Sequence, residues 1–166
     1  MYSLDLAKSE DAQKCYGIIE EAKQFQKDQG FTQWTEDYPN LDTVRQDIRT
    51  EKGYVVTCGK QIAGYMCIDF SGEPAYEHIE GKWNTDLPYA VIHRMAFSKE
   101  FRNRGLSSIA LSLIEDLCRS NNIKNIRVDT DFPNKRMQHI LEKNGFSRCG
   151  VIVFQGNGKL AYDKSL

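Results

Sequence analysis

The stretch Met95-Ala96-Phe97-Ser98-Lys99-Glu100-Phe101-Arg102-Asn103-Arg104-Gly105-Leu106-Ser107-Ser108 decides the fold. Upstream of its loop, Tyr89 to Phe97 is an apolar run with strand character. Downstream, Ile109, Leu113, Ile114 and Leu117 recur at helical spacing, with the small Ala110 beside them. Between the two lies a short polar, basic loop with one glycine. A strand that feeds such a loop and then a helix presents successive backbone N–H groups, plus the positive end of the helix, to whatever lies in front. An anion such as a pyrophosphate is the natural occupant. Arg102 and Arg104 add formal charge there, and Ser107 and Ser108 add hydroxyl donors.

Composition narrows the class. At 166 residues the chain fits a single domain, 1–166, able to bury roughly two-thirds of its unfolded surface. Lys+Arg 22 against Asp+Glu 23 gives a net charge of -1, so no global basic field argues for nucleic acid. No segment approaches the ~20 apolar residues of a membrane span, and Met1-Tyr2-Ser3-Leu4-Asp5-Leu6 lacks a basic-then-apolar signal. Cys15, Cys58, Cys67, Cys118 and Cys149 are odd in number and contain no Cys-x-x-Cys pair. The expectation is reduced thiols in a cytoplasmic protein, with neither a disulfide framework nor a metal site.

Along the chain, Tyr2 to Leu6 alternates as an early strand. Ser9 offers an N-cap, and Cys15, Ile18, Ile19, Ala22 and Phe25 mark one helical face ending near Gly30. Phe31 to Pro39 has no clear period and is rich in aromatics and acids; it is either a loop over a binding site or a connector whose Trp34 and Tyr38 plug the core. A second helix opens at Leu41 or Asp42, with Val44 and Ile48 inward. Tyr54 to Cys58 and Gln61 to Phe70 read as a hairpin turning at Gly59-Lys60. Ser71 to Pro88 is a long polar loop, of the kind that is functional or partly mobile, and a short strand around Tyr76 to Glu80 would extend the hairpin into a meander. After the central strand, loop and helix come a strand at Ile126 to Thr130 and a helix from Asn134 to Lys143, stopped by Asn144-Gly145. Phe146 to Phe154 and Leu160 to Tyr162 form a final hairpin around Gly156-Asn157-Gly158.

Arg102-x-x-Gly105-x-Ser107 resembles the Arg/Gln-x-x-Gly-x-Gly/Ala signature of the GNAT N-acetyltransferase superfamily, which grips the pyrophosphate of acetyl-CoA. Asn134 to Phe146 resembles that family's later Asn-x-x-…-Gly-Phe segment. The order β-α-α-β-β-β-α-β-α-β-β is similar to the GNAT acyl-CoA N-acyltransferase fold, an α/β architecture with a mixed central sheet flanked by helices. The resemblance covers nearly the whole chain and is sharpest over Ala90 to Phe146. It implies acetyl-CoA as cofactor and CoA as product. The loop Arg102, Asn103, Arg104, Gly105, Leu106, Ser107 and Ser108 would hold the pyrophosphate. The strand Met95, Ala96 and Phe97 would pair its backbone with the pantetheine arm where two parallel strands splay, and Asn134 would help to orient the cofactor. Each also has a plainer reading: a solvated basic loop, core packing for Met95 and Phe97, and a helix N-cap for Asn134.

The reaction implied is direct transfer of acetyl from a thioester to a primary amine. Keeping an alkylamine of pKa ~10.4 neutral at pH 7 costs about 4.6 kcal/mol, whereas a thiol of pKa ~8.5 lies only ~2 kcal/mol from neutrality. A base is therefore the larger need. Alternation along the strand puts His93 on the face of Met95, and an imidazole of ordinary pKa ~6.5 suits a proton relay. The arylalkylamine branch of the superfamily carries a histidine at this position. The bland alternative is a histidine satisfied by neighbouring backbone. Glu77 and His78 are weaker candidates, and Asp129 at a strand end would contact substrate or only cap a turn. Where the family commonly has tyrosine as the acid, this chain has Leu141, which cannot donate a proton.

The acceptor would be a small molecule or an amino terminus. Trp34, Tyr38 and Glu77 are candidate contacts, because acids and aromatics suit a cation. A non-catalytic acyl-CoA-binding or sensing module is the alternative, kept alive by Leu141; acetylation of a protein terminus is a third. The expected partners are acetyl-CoA and the amine, with neither nucleic acid nor membrane, and a homodimer is left open.

Overall fold

A computed structural model describes residues 1–166. Its elements are β1 (Tyr2–Leu6), α1 (Ala12–Asp28), α2 (Leu41–Arg49), β2 (Gly53–Cys58), β3 (Gln61–Asp69), β4 (Glu80–Gly81), β5 (Ala90–Phe97), α3 (Leu106–Ser120), β6 (Asn125–Thr130), α4 (Lys135–Lys143), β7 (Ser147–Phe154) and β8 (Asn157–Ser165). The expected α/β order appears with one strand added, β4. The sheet order is β1-β2-β3-β5-β6-β8-β7-β4. β5 and β6 pair in parallel through Ala90↔Ile126 and Val91↔Arg127, and the β1–β2, β2–β3, β6–β8, β7–β8 and β4–β7 ladders are antiparallel.

Two compact units divide the chain, one of residues 1–68 and 93–113, the other of residues 69–92 and 114–166. In the first, the periodic face of α1 buries Ala12, Cys15, Ile18 and Ile19 in a core with Val44 of α2, Val55 of β2, Tyr65 of β3 and Ala96 of β5. Asn40 caps α2, accepting the Thr43 N–H at 2.9 Å. Burial lifts the Cys15 thiol to about 12, with the Asp11 charge adding to the shift. A buried, protonated thiol of this kind is a packing element. In the second unit, Tyr76, Trp83, Val91, Ile152 and Ala161 form a separate core, and the β7–β8 hairpin supplies most of the sheet.

Several sequence expectations are corrected. Tyr76 to Glu80 is no third strand of a meander. Pro74–His78 is a 3-10 helix, and the two-residue β4 pairs with β7. Close approach explains the pairing: a Cβ on Gly81 would lie 2.2 Å from the Cys149 carbonyl, and one on Gly150 would lie 2.0 Å from the Glu80 carbonyl. Ser9 lies inside a short 3-10 helix rather than capping α1, and it is Asp11 that accepts the Lys8 N–H at 2.8 Å. The last hairpin turns one residue earlier than expected, at Gln155-Gly156. Most consequential is β5, where Arg94 has φ 53, in the left-handed region. His93, Arg94 and Met95 are all half-buried in succession. Strict alternation does not hold across such a residue, so parity no longer places His93 on the face of Met95.

Candidate active site

In the first unit the stretch after β5 is pinned before it is opened to solvent. Ser98 donates its N–H to Ala63 of β3 at 2.8 Å. Phe101, in the 3-10 turn Lys99–Phe101, and Leu106, the first residue of α3, are both buried. Between these anchors Asn103, Arg104 and Gly105 are exposed. Asn103 has φ 63 and Gly105 has φ 71. Left-handed residues so placed curl the backbone into the kind of concavity that aims successive N–H groups at an anion. The Ile109 N–H reaches the Gly105 carbonyl at 3.2 Å, the first turn of α3.

The two loop arginines differ. Arg102 donates to the Glu21 carbonyl at 3.2 Å and lies 4.4 Å over the Phe25 ring, so α1 holds its guanidinium. Arg104 is exposed beside Phe101, 5.6 Å from the ring centre, and is the loop's outward cation. Ser107 and Ser108 are half-buried. On β5, Ala96 belongs to the core, whereas Met95 and Phe97 are half-buried. Gly64 of β3 makes room for Phe97: a Cβ there would stand 2.7 Å from its ring.

In the same unit the structure reveals a network that sequence alone did not. Arg94 makes a two-pronged pair with Asp47 of α2, Nη2 to Oδ1 at 2.7 Å and Nε to Oδ2 at 3.0 Å. The two side chains are only 13% and 8% exposed. Asp47 also accepts the Tyr65 hydroxyl at 2.6 Å, and Arg94 Nη1 donates to the Tyr38 hydroxyl at 2.7 Å. Burial is the largest single influence and works against the Arg94 charge, but the Asp47 hydrogen bond and the charge interactions of Cys67, Asp47 and Tyr38 together outweigh it, so the guanidinium is held more firmly protonated than usual. A left-handed non-glycine residue costs roughly 1–2 kcal/mol, which a buried bidentate pair of this geometry offsets. The loop bearing Trp34 and Tyr38 is fastened to α1 as well. Gln26 accepts the Trp34 N–H at 3.0 Å, and buried Lys23 donates to the Pro39 carbonyl at 2.6 Å. Trp34 packs against the core, as the connector reading expected.

The second unit holds Glu77 and Asn134. Asn134 caps α4, its Oδ1 accepting the Met137 N–H at 3.1 Å. Leu141 is fully buried, so the position where the resemblance leads one to expect a tyrosine acid is packed core here. Glu77 is exposed and lines a cavity of about 380 Å³ that also includes Phe70, Glu73, Asp86, Leu87 and Tyr89. No lysine or arginine lines it. Its wall is braced by aromatic contacts: Tyr76 lies 5.2 Å from Trp83 and 6.2 Å from Tyr89, and Arg127 sits over both Trp83 and Tyr89 at 4.3 and 4.0 Å. Tyr76 also donates its hydroxyl to Asp129 Oδ2 at 2.6 Å. Burial lifts the Asp129 carboxyl to about 6, against the opposing pull of that hydrogen bond and of the Lys159 charge. The spread of acids and aromatics from Glu73 to Tyr89 was the available sequence signal for this wall. Glu73, Asp86 and Arg127 could not be singled out from it, because their convergence is tertiary.

The family model described as Acetyltransferase (GNAT) family matches residues 13–146. No curated protein matches the sequence. Among solved structures, a GNAT-family acetyltransferase from Streptococcus agalactiae 2603 is 33% identical with a TM-score of 0.89, covering 99% of this chain and 95% of that one. A GNAT-family acetyltransferase from Listeria monocytogenes 4b F2365 shares the fold at 22% identity and TM-score 0.74, covering 99% and 95%. Aminoglycoside acetyltransferase AAC(6')-Ib, solved with coenzyme A and kanamycin, shares it at 16% identity and TM-score 0.73, again covering 99% and 95%.

Proposed function

The chain belongs to the acetyltransferase (GNAT) family, and from that premise we propose that it moves an acetyl group from acetyl-CoA to the primary amine of a small cationic molecule. The carrying observation is the exposed Asn103–Gly105 turn, left-handed at both ends and anchored by Phe101 and Leu106 at the head of α3. A pyrophosphate there would meet aligned N–H groups and the Arg104 guanidinium, while Arg102 acts from behind by fixing the loop to α1. Each charge-assisted hydrogen bond contributes about 1.5–3 kcal/mol and the helix end a further ~0.3–1 kcal/mol, enough together for micromolar CoA binding. Met95 and Phe97 would offer backbone groups to the pantetheine, and Asn134 would orient the cofactor in addition to capping α4.

The acceptor would enter the cavity lined by Glu73, Glu77 and Asp86. Three carboxylates with no basic residue in the lining favour an ammonium, and Leu87, Phe70 and Tyr89 supply apolar wall for its stem. This favours a small cationic amine over an arbitrary protein terminus. The loop bearing Trp34 and Tyr38 is a separate candidate for facing an amine, since aromatics suit a cation. His93 would take the proton. Asp129 is the second reading for that role, because a carboxyl near 6 is ionised at pH 7 yet basic enough to accept. Leu141 leaves the thiolate to depart without a tyrosine acid, the smaller of the two proton problems.

Calorimetric titration tests the cofactor part. Wild type should bind acetyl-CoA and CoA, and Gly105→Glu, which sets an anion against the pyrophosphate on a strained backbone, should lose binding. Equal affinity in the variant would remove the loop from the site.

A further inference from the structure

Arg94 of β5 hydrogen-bonds to both α2 and the Trp34–Tyr38 loop, through Asp47 and Tyr38 respectively. The loop's other tethers, from Gln26 and Lys23, run to α1. They hold the loop on its helix, and α1 and Trp34 pack in the same core as Ala96 of β5. The hydrogen bond from Arg94 Nη1 to the Tyr38 hydroxyl, at 2.7 Å, adds a directional link between the loop and the strand that carries His93 and Met95. The left-handed backbone at Arg94 is part of the same device. It breaks the strand's alternation at this residue, and the guanidinium is then locked by two contacts to one carboxylate, itself fixed by Tyr65.

We propose that Arg94 is a positioning residue that registers the Trp34–Tyr38 loop on the reacting strand, so that acceptor binding depends on its hydrogen bond to Tyr38 while cofactor binding does not. This rests on the acetyltransferase reading above and on that loop facing the amine. The pyrophosphate loop has its own anchors in Phe101, Leu106 and Ala63, none of which involves Arg94. The two dependences are therefore separable.

Removing the whole guanidinium would strand a buried carboxylate and risk unfolding, so the test uses Tyr38→Phe, which deletes one hydroxyl and leaves the ion pair intact. Arg94→Lys is the companion, since an ammonium can pair with Asp47 but cannot fork to Tyr38 as well. In Tyr38→Phe the KM for a diamine acceptor should rise about tenfold, the effect of one hydrogen bond to a charged group. Its kcat should stay within about twofold, and the acetyl-CoA Kd should be unchanged. Amides of Gln33 to Tyr38 should exchange about tenfold faster in hydrogen exchange of the apo protein. Arg94→Lys should shift KM in the same direction, and the double variant should be no worse than the worse single one, because both changes cut the same contact. Multiplying losses would place Tyr38 directly on the acceptor and overturn the proposal. So would unaltered KM and exchange, or a fall in acetyl-CoA affinity that tracks the KM. Absence of turnover in wild type overturns the acetyltransferase reading instead, whereas normal turnover with wild-type kinetics in Tyr38→Phe overturns this inference alone.

Discussion

Asp129 is a carboxylate whose folded environment disfavours its charge. Burial is the main cause, and it raises the group from 3.8 to about 6. The folded chain thus binds this proton more tightly than the unfolded chain does. Its contribution to stability is full below about pH 4 and is lost as pH rises through about 6. Asp129→Asn keeps an acceptor for the Tyr76 hydroxyl and removes the titration. Urea denaturation should show the variant gaining on wild type, by up to about 3 kcal/mol, between about pH 4 and pH 7; a constant offset across that range would contradict a raised carboxyl. In the proposed reaction His93 takes the amine's proton. His93→Ala and His93→Gln should both lower kcat by ~10²–10⁴-fold and recover partly at high pH, with acetyl-CoA affinity intact. If both keep full activity near pH 7 while Asp129→Asn loses it, the proton goes to Asp129.

Among the elements, the strand–loop–helix around Gly105 was legible because its signals are local: a β run, one glycine and a 3.6-residue apolar repeat. The α2 and α4 helices were legible for the same reason. What escaped was set by distant partners. β4 is two residues long and exists because Gly81 and Gly150 allow two backbones to touch, which no periodicity records. The left-handed Arg94 breaks the two-residue repeat of β5 in a way its sequence, Ala90-Val91-Ile92-His93-Arg94-Met95-Ala96-Phe97, does not show, because the conformation is held by Asp47, on a helix far away in sequence. Strand β3 carries a further test. Gly64→Ala would put a methyl into the Phe97 ring, which must shift, and overpacking of this kind costs about 1–3 kcal/mol. Thermal denaturation should report that loss together with weaker acetyl-CoA binding through the displaced Phe97. A variant as stable as wild type, with unchanged affinity, would show that Phe97 moves freely and contributes no fixed surface.

At the scale of the whole molecule, the family was readable from the order of elements along the chain, and the proposed cofactor loop from one motif in context, whereas the strand order within the sheet comes from the structure. The proposed acceptor cavity was not readable either. Only Glu77 of the cavity's three carboxylates was anticipated, since Glu73 and Asp86 lie far apart in a loop whose path is set by Tyr76, Trp83, Tyr89 and Arg127 packing together. The central claim is catalytic transfer to a cationic amine. It is tested most directly by following release of free CoA thiol from acetyl-CoA across a panel of amines: diamines, monoamines with an apolar stem, amino acids and an amino-terminal peptide. The expected result is thiol release matched by acetylated amine, lowest KM for acceptors with a second positive charge, and a raised KM for those acceptors in Glu77→Gln and Asp86→Asn. Tight acetyl-CoA binding with no thiol release above buffer for any amine would contradict it, and would leave the chain an acyl-CoA-binding module of this fold.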